Sequence, residues 1–179
     1  MTSVVLSIGS NLGDRLAHLQ SVVDSLGEAV TAVSPVYETD AWGGIEQGPF
    51  LNAVVLADDS ARDPHGWLRR AHELEDAAQR VREQRWGPRT LDVDLVVVRD
   101  GAGDSTVEVS VHDDVLTLPH PYAHVRAFVL VPWLAVDPHA TLTVAGRPVG
   151  VDALLAAVDP AERAGVRGTE HTLRFGATR

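Results

Sequence analysis

Short apolar runs recur along the first hundred residues, and polar or turn-forming residues separate them. Each run is five to nine residues long and rich in β-branched or large apolar residues, which is typical of β-strands. The predicted strands span residues 4–8, 30–38, 50–57 and 91–98. Pro35 has no backbone N–H to donate, so we expect the second strand to lie at a sheet edge or to contain a bulge. The segment 39–49 holds three glycines and a proline and predicts a loop.

Two segments between these strands have apolar residues at helical spacing. The first helix begins at Asp14, whose side chain can cap it, and ends at Gly27. The second opens with Asp63 and Pro64, a cap followed by proline at the first helical position. The apolar positions are Leu16, Leu19, Val23 and Leu26 in the first helix and Trp67, Ala71, Leu74 and Ala78 in the second.

The predicted order is strand, helix, strand, strand, helix, strand. This is the split βαβ arrangement of ferredoxin-like folds, in which an antiparallel sheet carries helices packed on one face. We therefore predict an α+β fold and a single domain over residues 1–179. Beyond residue 100 the pattern predicts smaller elements. They are a β excursion at 100–116, a partly helical stretch at 121–133, a hairpin at 141–149, a short helix at 151–158 and a loosely held end over the last twenty residues.

Composition excludes several kinds of chemistry. The chain has no cysteine, which excludes disulfides, thiolate nucleophiles and thiolate metal sites. No apolar run approaches the ~20 residues of a membrane helix and the N-terminus lacks a basic signal region, so we expect a cytoplasmic protein without a membrane partner. A net charge of -10 argues against a nucleic-acid partner. All fifteen Lys or Arg positions are arginine, so bound phosphate would be held by arginine, backbone amides or metal.

Positive charge is concentrated in one polar stretch. Residues 80–89 contain four arginines and one glutamate, which gives a local charge of +3 in an acidic chain. A solvated charged loop would account for this charge. The alternative is a clamp for polyphosphate, because guanidinium forks match phosphate oxygens and stay charged. Charge alone favours the solvated loop and leaves the clamp open.

Asp92 and Asp94 follow this stretch, in the fourth predicted strand. Residues i and i+2 of a strand share a face, so two carboxylates lie side by side among apolar neighbours. Their repulsion and lost hydration are unfavourable unless a partner offsets them. The partner is either the neighbouring arginines or Mg²⁺, which takes one or two carboxylates together with phosphate oxygens and water. The Asp-x-Asp pattern alone is not specific, because many transferases and structural strands contain it.

Phe50 and Asn52 share a face of the third predicted strand in the same way. A ring and an amide side by side suit the face and the edge of a flat heteroaromatic ligand. The alternative is a core phenylalanine beside an asparagine that holds the preceding loop, and spacing alone favours this alternative.

Two further features are weaker signals. The turn at 9–15 has neither dinucleotide-binding nor P-loop spacing, so we interpret it as a structural strand-to-helix turn. The histidines between residues 112 and 124 lack the regular spacing of zinc sites. We therefore expect His120 at the surface or in contact with phosphate.

Residues 85–94 read Arg-Trp-Gly-Pro-Arg-Thr-Leu-Asp-Val-Asp, which closely resembles the signature of the 6-hydroxymethyl-7,8-dihydropterin pyrophosphokinase family. Further blocks resemble that family in the correct order. They are Ile-Gly-Ser-Asn-Leu-Gly at 8–13, Tyr-Glu-Thr at 37–39, Phe-Leu-Asn at 50–52, Leu-Pro-His-Pro at 118–121 and Arg-Ala-Phe-Val-Leu at 126–130. Together the blocks cover roughly residues 4–135, and the 85–94 block is highly specific.

The resemblance implies an ATP-dependent transferase of folate biosynthesis. It would move pyrophosphate to the hydroxymethyl group of 6-hydroxymethyl-7,8-dihydropterin and release AMP. ATP would be the co-substrate, two Mg²⁺ ions would be bound, and the small-molecule substrates would be the partners of a monomer. The implied fold is ferredoxin-like α+β, in agreement with the element order. The alternatives are a non-catalytic ferredoxin-like nucleotide-binding module and another Mg-dependent nucleotidyltransferase.

The same resemblance implies roles for individual residues. Catalytic roles fall to Arg80, Arg89, Asp92 and Asp94, and the two aspartates would be the metal ligands. Nucleotide contacts fall to His72, Glu75, Arg82, Trp86, His120 and Arg126. Pterin contacts fall to Thr39, Asp40, Trp42, Phe50, Asn52 and Phe128, with the two phenylalanines sandwiching the ring. The chain departs from the family after Thr39. Family members frequently have two prolines and a leucine there, whereas this chain has Asp40, Ala41 and Trp42.

Overall fold

The computed structural model describes residues 1–41, 46–78 and 90–176. Within these ranges the chain forms eleven β-strands and five α-helices. The strands are β1 Thr2–Ser10, β2 Val30–Val33, β3 Tyr37–Thr39, β4 Phe50–Asp59, β5 Asp92–Asp100, β6 Val107–Glu108, β7 Val111–His112, β8 Thr117–Leu118, β9 Thr141–Val144, β10 Arg147–Gly150 and β11 Val166–Gly168. The helices are α1 Arg15–Leu26, α2 Pro64–Ala77, α3 Ala127–Val136, α4 Val151–Ala157 and α5 Pro160–Ala164.

The main sheet is antiparallel, with the strand order β11-β3-β4-β1-β5-β6, and β2 also pairs with β4. Strands β4, β1 and β5, with β2 and β3 beyond β4, give the ferredoxin-like order, so the predicted α+β fold class is confirmed. The predicted strand at 30–38 is divided around Pro35, and its two parts pair with different stretches of β4. The interruption expected at this proline is therefore confirmed.

The predicted boundaries of the first two helices are also confirmed. The Asp14 carboxylate accepts the backbone N–H of Ala17 at 3.1 Å and caps α1, and Gly27 ends it with a φ of 55°. The Asp63 carboxylate accepts the backbone N–H of Gly66 at 2.7 Å and caps α2. These local caps set where each helix leaves the sheet.

Helices cover both faces of the sheet, so the prediction of helices on one face is wrong. Helices α1 and α2 pack over one face, which includes Leu6 of β1. Helices α3 and α4 pack over the other, which includes Val5 of β1, and Trp133 of α3 is fully buried there. The reason lies in the central strands, whose apolar residues run consecutively and so make both faces hydrophobic.

The part of the chain between β5 and α3 follows the predictions. Strands β6 and β7 form the β excursion, and the partly helical stretch is a 3-10 turn at Ala123–Val125 followed by α3. Every helix in the described ranges falls short of the length and apolarity of a membrane-spanning segment.

The C-terminal part is attached to the sheet, so the expectation of a loosely held end is wrong for the residues described. Strands β9 and β10 form the predicted hairpin, and α4 is the predicted short helix. Strand β11 pairs with β3. Leu173 is buried, and Gln20 of α1 exchanges hydrogen bonds of 2.8 and 3.0 Å with the backbone of Arg174.

Candidate functional site

A cavity of about 470 Å³ opens where β1, β3, β4 and β5 meet α2 and the beginning of α3. Eleven of the sixteen residues with a predicted role line this cavity. They are Thr39, Asp40, Phe50, Asn52, His72, Glu75, Asp92, Asp94, His120, Arg126 and Phe128. The other predicted residues lie outside the described ranges; they are Trp42, Arg80, Arg82, Trp86 and Arg89.

Strand pairing brings one member of each predicted pair, Asn52 and Asp92, into one row. Gly9 of β1 lies opposite Asn52 of β4 on one side and opposite Asp92 of β5 on the other. Residues that pair across strands share a face of the sheet, so the amide and the carboxylate flank the glycine. Since neighbouring strands are ~4.8 Å apart, Asn52 and Asp92 lie about 10 Å apart across the sheet.

Asn52 is held from both ends of its amide. Its Oδ1 accepts the hydroxyl of Thr39 at 2.5 Å, and its Nδ2 donates to the Ile8 carbonyl at 3.2 Å. Both Asn52 and Thr39 are buried. Thr39 ends β3 where the loop to β4 begins, so Asn52 both lines the cavity and holds that loop. Phe50 is partly exposed and lines the cavity, so it is not a core phenylalanine.

The turn at 9–15 contributes to the cavity as well as to the fold. A Cβ at Gly9 would lie 2.5 Å from Nδ2 of Asn52 and 3.3 Å from the ring of Phe50, so any larger residue would displace the Asn52 amide. The Asn11 amide donates to the Gly48 carbonyl at 3.0 Å and ties the turn to the segment before β4. Sequence reasoning missed this role of Gly9, although a glycine near the end of an apolar strand signals a close approach.

Asp92 and Asp94 are half-buried and line the cavity together. Glu75 of α2 is only 3% exposed, and its Oε2 accepts the backbone N–H of Val93 at 3.3 Å. Because Val93 lies between the two aspartates, Glu75 helps to fix the backbone that carries them. This contact indicates a positioning role for Glu75, beside the nucleotide contact implied by the resemblance.

The donor set fits Mg²⁺ better than a metal bound by protein alone. Within residues 1–41, 46–78 and 90–176, no three His, Cys, Asp or Glu side chains form a metal-binding group. Mg²⁺ needs only one or two carboxylates when phosphate oxygens and water complete its shell. Two half-buried carboxylates on one strand face meet that requirement.

Arg126 connects the carboxylates to the aromatic side chains. It is 5% exposed, and its Nη1 lies 3.8 Å from Oδ2 of Asp94. Its guanidinium also lies 5.4 Å from the ring centroid of Tyr122 and 5.5 Å from that of Phe128, within cation–π range. Tyr122 lines the cavity and was missed by sequence reasoning. Its signal was an aromatic residue directly after the Leu-Pro-His-Pro block.

His120 is neutral at pH 7. Burial, and then the positive charge of Arg126, lower its pKa to about 4, although the charge of Asp92 acts in the opposite direction. Its Nδ1 accepts the backbone N–H of Tyr122 at 3.1 Å. The neutral ring with Nδ1 engaged leaves Nε2–H as a donor for a ligand oxygen.

Known proteins resemble this chain over most of its length. Residues 5–138 match the family model described as 7,8-dihydro-6-hydroxymethylpterin-pyrophosphokinase (HPPK). The 2-amino-4-hydroxy-6-hydroxymethyldihydropteridine pyrophosphokinase of Mycobacterium leprae is 65% identical over 177 residues, which cover 98% of this chain and 93% of that protein. The protein of the same name from Aquifex aeolicus is 32% identical over 151 residues, covering 83% of this chain and 89% of its own length.

Solved structures support the fold. A crystal structure of Plasmodium falciparum HPPK-DHPS wild type aligns with a TM-score of 0.56 and 12% identity, and covers 87% of this chain. A structure of HPPK-DHPS in complex with substrates aligns with a TM-score of 0.60 and 10% identity. The alignments cover only 44% of each of those chains. At this identity the likeness concerns the fold alone.

Proposed function

Because the chain belongs to the 7,8-dihydro-6-hydroxymethylpterin-pyrophosphokinase family, we propose that the cavity is the active site in which ATP and the pterin meet. The enzyme is a transferase of folate biosynthesis with ATP as co-substrate. It moves pyrophosphate to the hydroxymethyl group of the pterin, and AMP leaves. The observation that carries the proposal is the row of Asn52, Gly9 and Asp92 across three adjacent strands.

The phosphate end of the cavity consists of Asp92, Asp94 and His120. We propose that the two aspartates hold two Mg²⁺ ions with the triphosphate of ATP, as their shared face and half-buried position support. Bound Mg²⁺ supplies neutralisation of the phosphate charge, which phosphoryl transfer requires. Neutral His120 donates from Nε2 to a phosphate oxygen. His72 and Glu75 of α2 line the same part of the cavity and complete the nucleotide contacts.

The pterin end consists of Thr39, Phe50, Asn52 and Phe128. The two phenylalanines suit the faces of a flat ring, and the Asn52 amide suits its polar edge. Asp40 lines the cavity beside them. Arg126 contacts both Phe128 and Asp94, so one guanidinium links the two ends.

The remaining assignments rest on the resemblance. Arg80 and Arg89 would stabilise the transferred group, Arg82 and Trp86 would contact the nucleotide, and Trp42 would contact the pterin. Arginine suits this role because its guanidinium stays charged and binds phosphate with two parallel hydrogen bonds. We also propose a monomeric, cytoplasmic, single-domain protein, and light scattering of the purified chain tests the oligomeric state.

One assay decides the function. The purified chain is incubated with ATP, Mg²⁺ and the pterin alcohol, and the nucleotide product is identified by chromatography. Pyrophosphate transfer yields AMP and a pterin pyrophosphate in equal amounts, and omission of the pterin or of Mg²⁺ stops both. Release of free pyrophosphate would indicate a nucleotidyltransferase, and binding without turnover would indicate a non-catalytic module.

A further inference from the structure

The C-terminal segment contacts both walls of the pterin end. The match to the family model stops at residue 138, well before α5 and β11. Strand β11 lies beside β3, which carries Thr39, and α5 packs against α3, which carries Phe128. Elements outside the family match therefore touch the two elements that carry pterin contacts.

Arg167 of β11 bridges two carboxylates at the end of β3. Its Nη1 donates to Oδ1 of Asp40 at 3.0 Å, and its Nη2 lies 3.7 Å from Oε1 of Glu38. The backbone N–H of Asp40 donates to the Gly165 carbonyl at 3.0 Å. A Cβ at Gly165 would lie only 3.0 Å from the Asp40 carboxylate. The C-terminal segment thus holds Asp40 by its backbone and by its side chain.

Glu38 extends this contact to the other end of the loop between β3 and β4. Its Oε2 lies 3.4 Å from Nη1 of Arg15, and the same Nη1 donates to the Pro49 carbonyl at 3.0 Å. Asp40 and Pro49 are the first and last residues of that loop. An isolated exposed ion pair contributes only ~0–1 kcal/mol to stability. Here, however, Glu38 is shared by Arg15 and Arg167, and each arginine holds one end of the loop. Loss of Arg167 therefore affects more than one contact.

Helix α5, which carries Glu162, makes the second contact. It packs against α3, whose first residue is Ala127. The preceding residue, Arg126, does not cap the helix with its side chain. Burial raises the pKa of Glu162, whereas the Ala127 N–H and the positive charge of Arg126 lower it.

We propose that α5 and β11 form a brace for the pterin end of the cavity, with Arg167 as a positioning residue that acts through Asp40. The packing of α5 against α3, which carries Phe128, is the matching contact on the opposite wall. Neither Arg167 nor Glu162 lines the cavity, so neither touches the substrate. The inference rests on the proposed function, because it assumes that the pterin binds at the pterin end of the cavity.

The first test compares Arg167→Ala with Arg163→Ala. Arg163 lies in α5, and its side chain makes no hydrogen bond or ion pair within the described part of the chain. Calorimetry with Mg²⁺ and a non-hydrolysable ATP analogue should show pterin affinity about fivefold weaker in Arg167→Ala, and unchanged in Arg163→Ala. Arg167→Lys should lie between them, because lysine keeps the charge but not the two-pronged contact. The KM for ATP and the melting temperature of each variant should equal those of the wild-type protein.

Hydrogen exchange of the ligand-free protein tests the brace without any assumption about the substrate. Peptides that contain Asp40 or Pro49 should exchange faster in Arg167→Ala than in wild type, and at the wild-type rate in Arg163→Ala. Unchanged exchange in Arg167→Ala would overturn the brace. Faster exchange with unchanged pterin affinity would overturn the positioning role. If the wild-type protein bound no pterin, the proposed function would be wrong. The hydrogen-exchange comparison would still show whether α5 and β11 hold the loop.

Discussion

The pterin end and the phosphate end of the cavity hold their polar groups in different ways. At the pterin end, the Asn52 amide is buried and already bonded to Thr39 and to the Ile8 carbonyl. At the phosphate end, Asp92 and Asp94 are half-buried, and the ion pair of Asp94 with Arg126 is long, at 3.8 Å. Under the proposed function, the first end would bind a ring edge by hydrogen bonding, and the second would contribute carboxylate oxygens to Mg²⁺. Substitutions at the two ends should therefore impair different properties, turnover at the phosphate end and pterin affinity at the pterin end.

The largest effect is expected from Asp94→Asn. The substitution keeps the shape of the side chain but removes a negative charge, so Mg²⁺–ATP loses one of its ligands. We expect kcat to fall by about 10²–10³, the usual cost of removing one preorganised electrostatic contact. AMP release measured by chromatography checks this, and the melting temperature should change little. Asp100→Asn, at the exposed end of the same strand, is the matched control and should keep full activity. Full turnover of Asp94→Asn would remove Asp94 from the metal site.

A smaller and differently directed effect is expected from Gly9→Ala. The added methyl group would lie 2.5 Å from the Asn52 amide nitrogen, so the amide must shift and lose its hydrogen bond to the Ile8 carbonyl. We expect pterin affinity to fall about tenfold, the equivalent of one lost hydrogen bond, with no change in the KM for ATP. Calorimetry and steady-state kinetics measure the two quantities.

The control for Gly9→Ala is Gly168→Ala, where an added Cβ meets no atom within 4 Å. That variant should match wild type in both quantities. If Gly9→Ala weakened ATP and pterin equally, the two ends would not be independent, and the comparison between them would be wrong.

The central part of the site could be predicted because it depends on local spacing. Two residues apart on a strand always share a face, so Phe50 with Asn52 and Asp92 with Asp94 follow from the pattern alone. The helix caps at Asp14 and Asp63 are local in the same sense. What spacing could not decide was which of two roles each pair plays. The strand order, which aligns Asn52 with Asp92 across Gly9, decides that they serve one cavity.

The remaining parts depend on contacts between distant segments. Arg126 and Phe128 lie at the beginning of a helix that is almost entirely apolar, so no periodicity marks which of its sides faces the cavity. Only the family resemblance pointed to them. The pairing of β11 with β3 joins residues that are more than a hundred positions apart, and neither strand is longer than three residues. Such short strands carry no pattern from which a partner can be chosen.

The smallest effect concerns His120 and the pH dependence of stability. Its pKa is about 4 in the folded protein and near 6.5 in the unfolded chain, so the unfolded state binds more protons between these values. Folding stability should therefore be lost as the pH falls from about 6.5 to 4, by about 2 kcal/mol at pH 4.5. Urea denaturation of the metal-free protein at pH 7 and pH 4.5 measures the loss, which should be smaller in His120→Asn by that amount. Equal losses in the two proteins would mean that the pKa of His120 is not lowered in the folded state, and the ring would then gain its proton near pH 6.5 instead of staying neutral there.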